Sequence, residues 1–232
     1  MRRVRALDLF CGAGGATKGL QRAGFHVTGV DIRPQPRYCG DAFHEADAMT
    51  FPLEGFNFIW ASPPCQGYSV SKSRPKIAKK YPMLIEPVRA RLVASGSAWV
   101  IENVPGAPLW FPICLCGGAF GLGAHCEDGL RRQLRRHRLF ECSLSFLGPP
   151  CQCNRVEKIG VYGNGGGWAN RFSADRRGYK GNASEMREAM DCDWMTIAEV
   201  SEAIPPAIAE IIGREILKDH RGIERNGVQS HG

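Results

Sequence analysis

No stretch of the 232 residues is apolar for long enough to cross a membrane, so a transmembrane helix is excluded and no membrane partner is expected. The long apolar core of a secretory signal is also missing. Phe10 is followed at once by a glycine-rich turn, and a cytoplasmic location is expected. The chain is too short for two independent domains, and 44% hydrophobic residues suit one well-packed soluble unit with a small insert. Acidic excess is lacking too. Lys and Arg number 30 against 23 Asp and Glu, a net +7 that favours an anionic partner such as nucleic acid.

Cysteine is abundant, at ten residues. Most stand singly in apolar or turn contexts, where a buried thiol is ordinary. The pairs Cys114/Cys116 and Cys151/Cys153, with His125, Cys126, His137 and Cys142 between them, invite a zinc reading. One residue between paired cysteines is fewer than a zinc knuckle uses, so no metal is assigned from the spacing.

Apolar runs over residues 4–10, 25–30, 56–61 and 98–101 predict strands, and residues 17–23 and 82–94 predict helices. Repetition of strand, turn and helix predicts an open α/β sheet, in which ligands collect beyond the carboxyl ends of the strands. Residues 117–129 read as a glycine-rich connection, and 138–147 as a pair of short strands. Residues 184–190 read as a helix capped by Ser184, and 199–217 as helix interrupted at Pro205 and Pro206. The expected organisation is a core over 1–141, a small insert over 142–182, closing helices over 183–219 and a flexible tail over 220–232.

The distinctive segments begin where predicted strands stop. DLFCGAGG, residues 8–15, supplies close glycines for tight backbone approach to a ligand. It lacks the Lys-Ser/Thr pair of a phosphate loop and the full dinucleotide pattern, which leaves a neutral or cationic nucleoside-like cofactor. Asp31, ending the next strand, is placed to accept from a ribose. Asp47 suits either an adenine amino group or a plain turn. SPPCQGYS, residues 62–69, holds Cys65 on a proline-stiffened turn, where a thiolate would be a strong nucleophile. The following stretch contains Ser69, Lys72, Lys76 and Lys80, suited to phosphate contacts. In WVIENV, Glu102 beside a nucleophilic cysteine fits attack on a pyrimidine, because an acid near N3 relieves the charge that addition at C6 creates. Asn103 is expected to position the Cys65 loop. Arg136 and Arg138, two apart, share one face of an extended segment and suit a base oxygen or a phosphate.

This constellation resembles the DNA cytosine-C5 methyltransferases, particularly small solitary enzymes encoded by bacteriophages and prophages. DLFCGAGG, SPPCQGYS, ENV, the two arginines and SEAIPPAIAEIIG occur in family order over most of residues 4–217. Leu134 stands where the family usually has glutamine, and Glu202 where it has asparagine. The resemblance implies an S-adenosylmethionine-dependent, Rossmann-like mixed sheet with a reduced target-recognition insert. It implies S-adenosylmethionine bound by Phe10, Gly12, Gly14, Gly15, Asp31, Ile32, Asp47 and Pro63. Catalysis falls to Cys65, Glu102, Arg136 and Arg138, with the cytosine flipped from the helix and no metal required. Duplex DNA would be held by Gln66, Ser69, Lys72, Lys76, Lys80, Arg155 and Arg171, with a short site of about two to four base pairs read by the insert. A monomer without obligate protein partner is expected, in a host cytoplasm if phage-encoded, with or without a restriction enzyme beside it. Methylation of tRNA, or DNA binding without catalysis, are the competing readings.

Overall fold

The computed structural model describes residues 4–68, 81–151, 158–163 and 179–228. Its main sheet has seven strands in the order β3-β2-β1-β4-β5-β9-β6. They are β1 (Arg5–Leu9), β2 (His26–Asp31), β3 (Ala42–Glu45), β4 (Phe58–Ala61), β5 (Ala98–Asn103), β6 (Ile113–Cys116) and β9 (His137–Cys142). β1 to β5 run parallel, and β9 runs antiparallel to both β5 and β6. A second sheet, β11-β10-β8-β7, joins β7 (Gly123–His125), β8 (Arg131–Leu134), β10 (Lys158–Gly160) and β11 (Tyr179–Lys180).

Strand alternation sorts the main core into two layers. Ala6, Phe58, Trp60 and Val100 face the helices α1 (Gly15–Ala23) and α5 (Pro206–Val228), where they meet Leu20, Ile208 and Ile212. Leu7, Leu9, Ile59, Ala61 and Ile101 face the other way, toward Val88 and Leu92 of α2 (Ile85–Ser95). α1 stops at Gly24, whose left-handed backbone lets its N–H reach the carbonyls of Leu20 and Gln21. The smaller sheet packs Leu134, Ile159 and Tyr179 on Met186, Ala189 and Met190 of α3 (Ala183–Met190), with Val200 of α4 (Ile197–Glu202) alongside.

Several local expectations change. Residues 138–147 supply one strand, β9, whose pairing with β6 ends at Phe140 and with β5 at Cys142. The glycine-rich connection contains β7, whose partner β8 also joins β10. Residues 123–134, expected in the core unit, therefore share a sheet with strands of the insert. The cap of α3 is Asn182, not Ser184: Asn182 Oδ1 accepts from Glu185 N, and the Glu185 carboxylate accepts from Asn182 N. Thr196 and Glu199 repeat this box at α4. The proline interruption is real, with Pro206 as first residue of α5, where a missing N–H costs nothing. α5 extends to Val228, so the tail expected from residue 220 is helical up to there. Among the described residues, no helix is long and apolar enough to cross a membrane.

A buried polar brace, not legible in the sequence, holds the connection after β5. Arg89 of α2 donates through Nε and Nη2 to the two carboxylate oxygens of Glu141 on β9, at 2.7 and 2.8 Å, and through Nη2 to Pro108 O at 2.9 Å. Glu141 also accepts from Trp110 N at 2.8 Å, while the Arg89 guanidinium lies 4.2 Å from the Trp110 ring centre. Both charged groups lie out of water, so each depends on the other for compensation.

Candidate active site

In the strand order, the chain leaves β1 toward β2 and β3 on one side, and enters β4 and β5 on the other. In open α/β sheets ligands bind at such a reversal, here beyond the carboxyl ends of β1 and β4. The glycine loop follows β1, and the Cys65 turn follows β4. Two segments about fifty residues apart in sequence thus become neighbours at one sheet edge.

The loop is held open by unusual backbone. Phe10, Gly12 and Gly14 have φ of 62°, 51° and 90°, a region costly for most side chains. Asp31 fixes the turn: its carboxylate accepts from Gly12 N and from Arg33 N, each at 3.0 Å. No atom lies within 4 Å of where a Gly12 Cβ would stand, so the loop borders open space there. Ile32, next to Asp31, exposes 69% of its surface, an apolar face available to a planar ring. Asp47 lies exposed two residues beyond β3, with Oδ1 already accepting from Met49 N at 2.8 Å. Two carboxylates, one exposed aliphatic side chain and an open glycine turn fit a cationic nucleoside cofactor.

β-sheet register builds the second half. Glu102 pairs with Phe140 across β5 and β9, which puts Arg138, two residues before Phe140, diagonally opposite on the same face. Arg138 Nε lies 3.1 Å from Glu102 Oε1. Glu102 is 6% exposed. Burial pushes its carboxyl above the usual range, while Arg138, a hydrogen bond from Ser62 and the Arg136 charge pull it back. Asn103, fully buried, donates through Nδ2 to Pro63 O at 2.9 Å and accepts from Val104 N at 3.0 Å. The strand carrying Glu102 is thereby locked to the turn carrying Cys65, as expected for Asn103. Cys65 O accepts from Tyr68 N, and the Tyr68 hydroxyl accepts from Ile85 N, tying that turn to the start of α2.

The thiolate is the strong nucleophile, and the surroundings of Cys65 work against it at rest. Burial pushes the thiol pKa above its ordinary value, Arg138 opposes, and the Glu102 and Glu202 charges add to the rise. The resting residue is a thiol, and ionisation waits on positive charge or on substrate. Glu202, exposed at the end of α4, enters this site only through the fold. Gln66 is exposed beside Cys65.

The two arginines, expected to act as a pair on base or phosphate, divide. Arg138 engages Glu102. Arg136 is buried and spends its guanidinium on backbone: Nη1 donates to Val161 O at 3.0 Å, and Nη2 to Ser201 O and Ala203 O at 2.8 Å each. It joins the residue just after β10 to the C-terminal end of α4, and burial pushes its pKa down to about 9, still charged at neutral pH. Its Nε has no hydrogen-bond partner among the described residues. Leu134 fills the core of the smaller sheet. A pocket of about 280 Å³ between the two sheets is lined by Arg135, Arg136, His137, Arg138, Lys158 and Ser201, among others, a cationic surface suited to an anion. Ser69, Lys72, Lys76, Lys80, Arg155 and Arg171 lie outside the described residues.

Residues 4–108 match the family model described as C-5 cytosine-specific DNA methylase. Among solved structures, a DNA modification methyltransferase encoded within a prophage of E. coli superposes with a TM-score of 0.59 at 15% identity, covering 93% of this chain and 99% of that one. The S. pombe Dnmt2 methyltransferase gives 0.59 at 14%, with 94% and 99% covered, and the Entamoeba histolytica methyltransferase EhMeth 0.55 at 11%, with 94% and 99%. No curated protein matches. The fold is that of an S-adenosylmethionine-dependent methyltransferase, a mixed sheet flanked by helices. S-adenosylmethionine is the methyl donor that the matched domain implies.

Proposed function

We propose, for a chain whose residues 4–108 match the C-5 cytosine-specific DNA methylase model, that the protein methylates C5 of cytosine in duplex DNA through a covalent cysteine adduct. The observation carrying this reading is the grouping of Cys65, Glu102 and Arg138 beside the open glycine loop. When bound, S-adenosylmethionine supplies the methyl group, with Asp31 and Asp47 as acceptors for its nucleoside and Ile32 against its base.

The chain's own residues do the rest. A cytosine turned out of the helix presents C6 to Cys65. The thiol gives its proton to solvent, sulfur bonds to C6, and the C5–C6 electron pair moves onto C5 and toward N3. Glu102, whose carboxyl burial pushes up, donates or shares a proton at N3 as that charge develops. Arg138 holds Glu102 in place and favours the thiolate, since its charge lowers the Cys65 pKa. After C5 has gained the methyl group, loss of the C5 proton to solvent, departure of Cys65 and return of the N3 proton to Glu102 restore the ring. The cationic pocket beside Arg138 supports a polyanionic substrate.

Duplex DNA containing 5-fluorocytosine tests the reading, because fluorine at C5 blocks the last elimination. A covalent complex that needs S-adenosylmethionine and Cys65 is expected. Methyl transfer to tRNA but not to duplex DNA would reassign the substrate. Absence of any adduct would overturn the covalent chemistry.

A further inference from the structure

Cys116 and His137 are direct partners across β6 and β9, one of the closest juxtapositions an antiparallel ladder offers. Cys151 is brought to them from the segment after β9. Gly148 lies so close to β6 that a Cβ there would stand 2.3 Å from Leu115 Cδ2, so any side chain at this position would have to displace Leu115. Pro149 and Pro150 then stiffen the last step toward Cys151. His137 Nε2 and Cys151 Sγ are 3.3 Å apart, and one donor atom from each of the three residues lies within 4.8 Å of the others.

We propose that Cys116, His137 and Cys151 bind a structural zinc ion. Tetrahedral zinc, with bonds of about 2.3 Å to sulfur and 2.0–2.1 Å to nitrogen, sets its donors roughly 3.5–3.8 Å apart. The three donors need to contract by about an ångström at most, and the His137–Cys151 pair already fits. The spacing rule that set zinc aside treated each Cys-x-Cys pair as its own knuckle, whereas the fold takes one cysteine from each pair and adds a histidine between. Cys114, two residues before Cys116, shares its face of β6 and is exposed, but it stands outside the three-donor cluster, which leaves the fourth position to water.

The charges balance as well. Two thiols lose their protons on binding, and their two negative charges match the ion's two positive ones. The Cys116 thiol gives up a long contact, 3.8 Å to Leu134 O, in exchange. A bound ion would clip the first residues beyond β9 to the edge strand of the main sheet. It would also hold His137, whose neighbour Arg138 reaches Glu102, at the border of the cationic pocket.

Metal analysis of untagged full-length protein, purified under reductant without chelator, should find about one zinc per chain. Cobalt(II) added to protein stripped of metal should produce a sulfur-to-cobalt charge-transfer band. Cys151→Ser, at an exposed position where folding is not at risk, and His137→Ala should each weaken metal binding at least tenfold and diminish that band. Cys142→Ala, on the same strand outside the cluster, should leave both unchanged. Metal-free protein that gives no charge-transfer band with cobalt would overturn the site. So would zinc retained at parental stoichiometry by the Cys151→Ser and His137→Ala variants.

Discussion

Asp8 lies next to the carboxyl end of β1, 1% exposed, with its Oδ2 2.6 Å from the Thr17 hydroxyl. Burial raises its pKa from an ordinary 3.8 to about 7; the Thr17 hydrogen bonds oppose, and the Asp31 and Glu102 charges add to the rise. In the unfolded chain the same carboxyl ionises near its ordinary value. Between those two points the folded protein binds a proton that the unfolded chain does not, so stability falls as pH rises. The contribution is fully present below about pH 4 and is lost by about pH 7. At 1.36 kcal/mol per pH unit the loss is about 4 kcal/mol, a large share of a domain's usual 5–15. Asp8→Asn cannot ionise but retains an oxygen and an amide to pair with Thr17. Relative to the parent, the variant should therefore gain stability from pH 4 to pH 8 by an amount of that order. Urea unfolding of both proteins across this range measures the difference and cancels the other titrating groups. A difference that stays flat with pH would mean Asp8 is ionised in the folded state, and the reasoning fails.

Cys65→Ser should cut turnover by orders of magnitude while cofactor and DNA still bind, because the hydroxyl ionises far less readily than a thiol; comparable methylation by the serine variant refutes the mechanism. Glu102→Gln should lower the single-turnover rate more than DNA affinity, and a purely binding defect would reassign the residue. Arg89→Met strands the buried Glu141 charge and should cost about 3–5 kcal/mol in urea unfolding, while the Arg89→Met/Glu141→Met pair should recover much of it; a neutral single variant would show that Glu141 is hydrated. Replacing Lys72, Lys76 and Lys80 together by alanine should weaken binding to every DNA sequence and flatten the salt dependence by roughly 2–3 in log–log slope. An unchanged slope places those lysines away from the phosphates.

Much of the cofactor and nucleophile half was legible in the chain itself, for a physical reason. Parallel strands buried on both faces must be apolar throughout, so β1, β2, β4 and β5 stand out as runs. The residues ending each run fall at one sheet edge whatever the details of packing. Asp31, Cys65 and Glu102 could therefore be assigned to one region, and Asn103 to the Cys65 turn, before any partner was known. Turns also declare themselves, as Gly24 and Pro206 do at the ends of α1 and α5.

What depends on strand register could not be read this way. Arg136 and Arg138 are alike in sequence, yet three backbone carbonyls from distant segments claim one of them, and a diagonal position across β9 gives the other to Glu102. The motif marks Cys65 as the nucleophile, but the upward direction of its thiol pKa follows from burial, with the Glu102 and Glu202 charges adding to it. β7 and β8 are short and polar, and become strands through pairing with each other and with β10. The Arg89–Glu141 brace and the Cys116–His137–Cys151 cluster join residues whose separations along the chain carry no periodic signal. Apolar periodicity and turn chemistry are written locally, residue by residue. Partners brought together by sheet pairing are determined only when the tertiary structure closes.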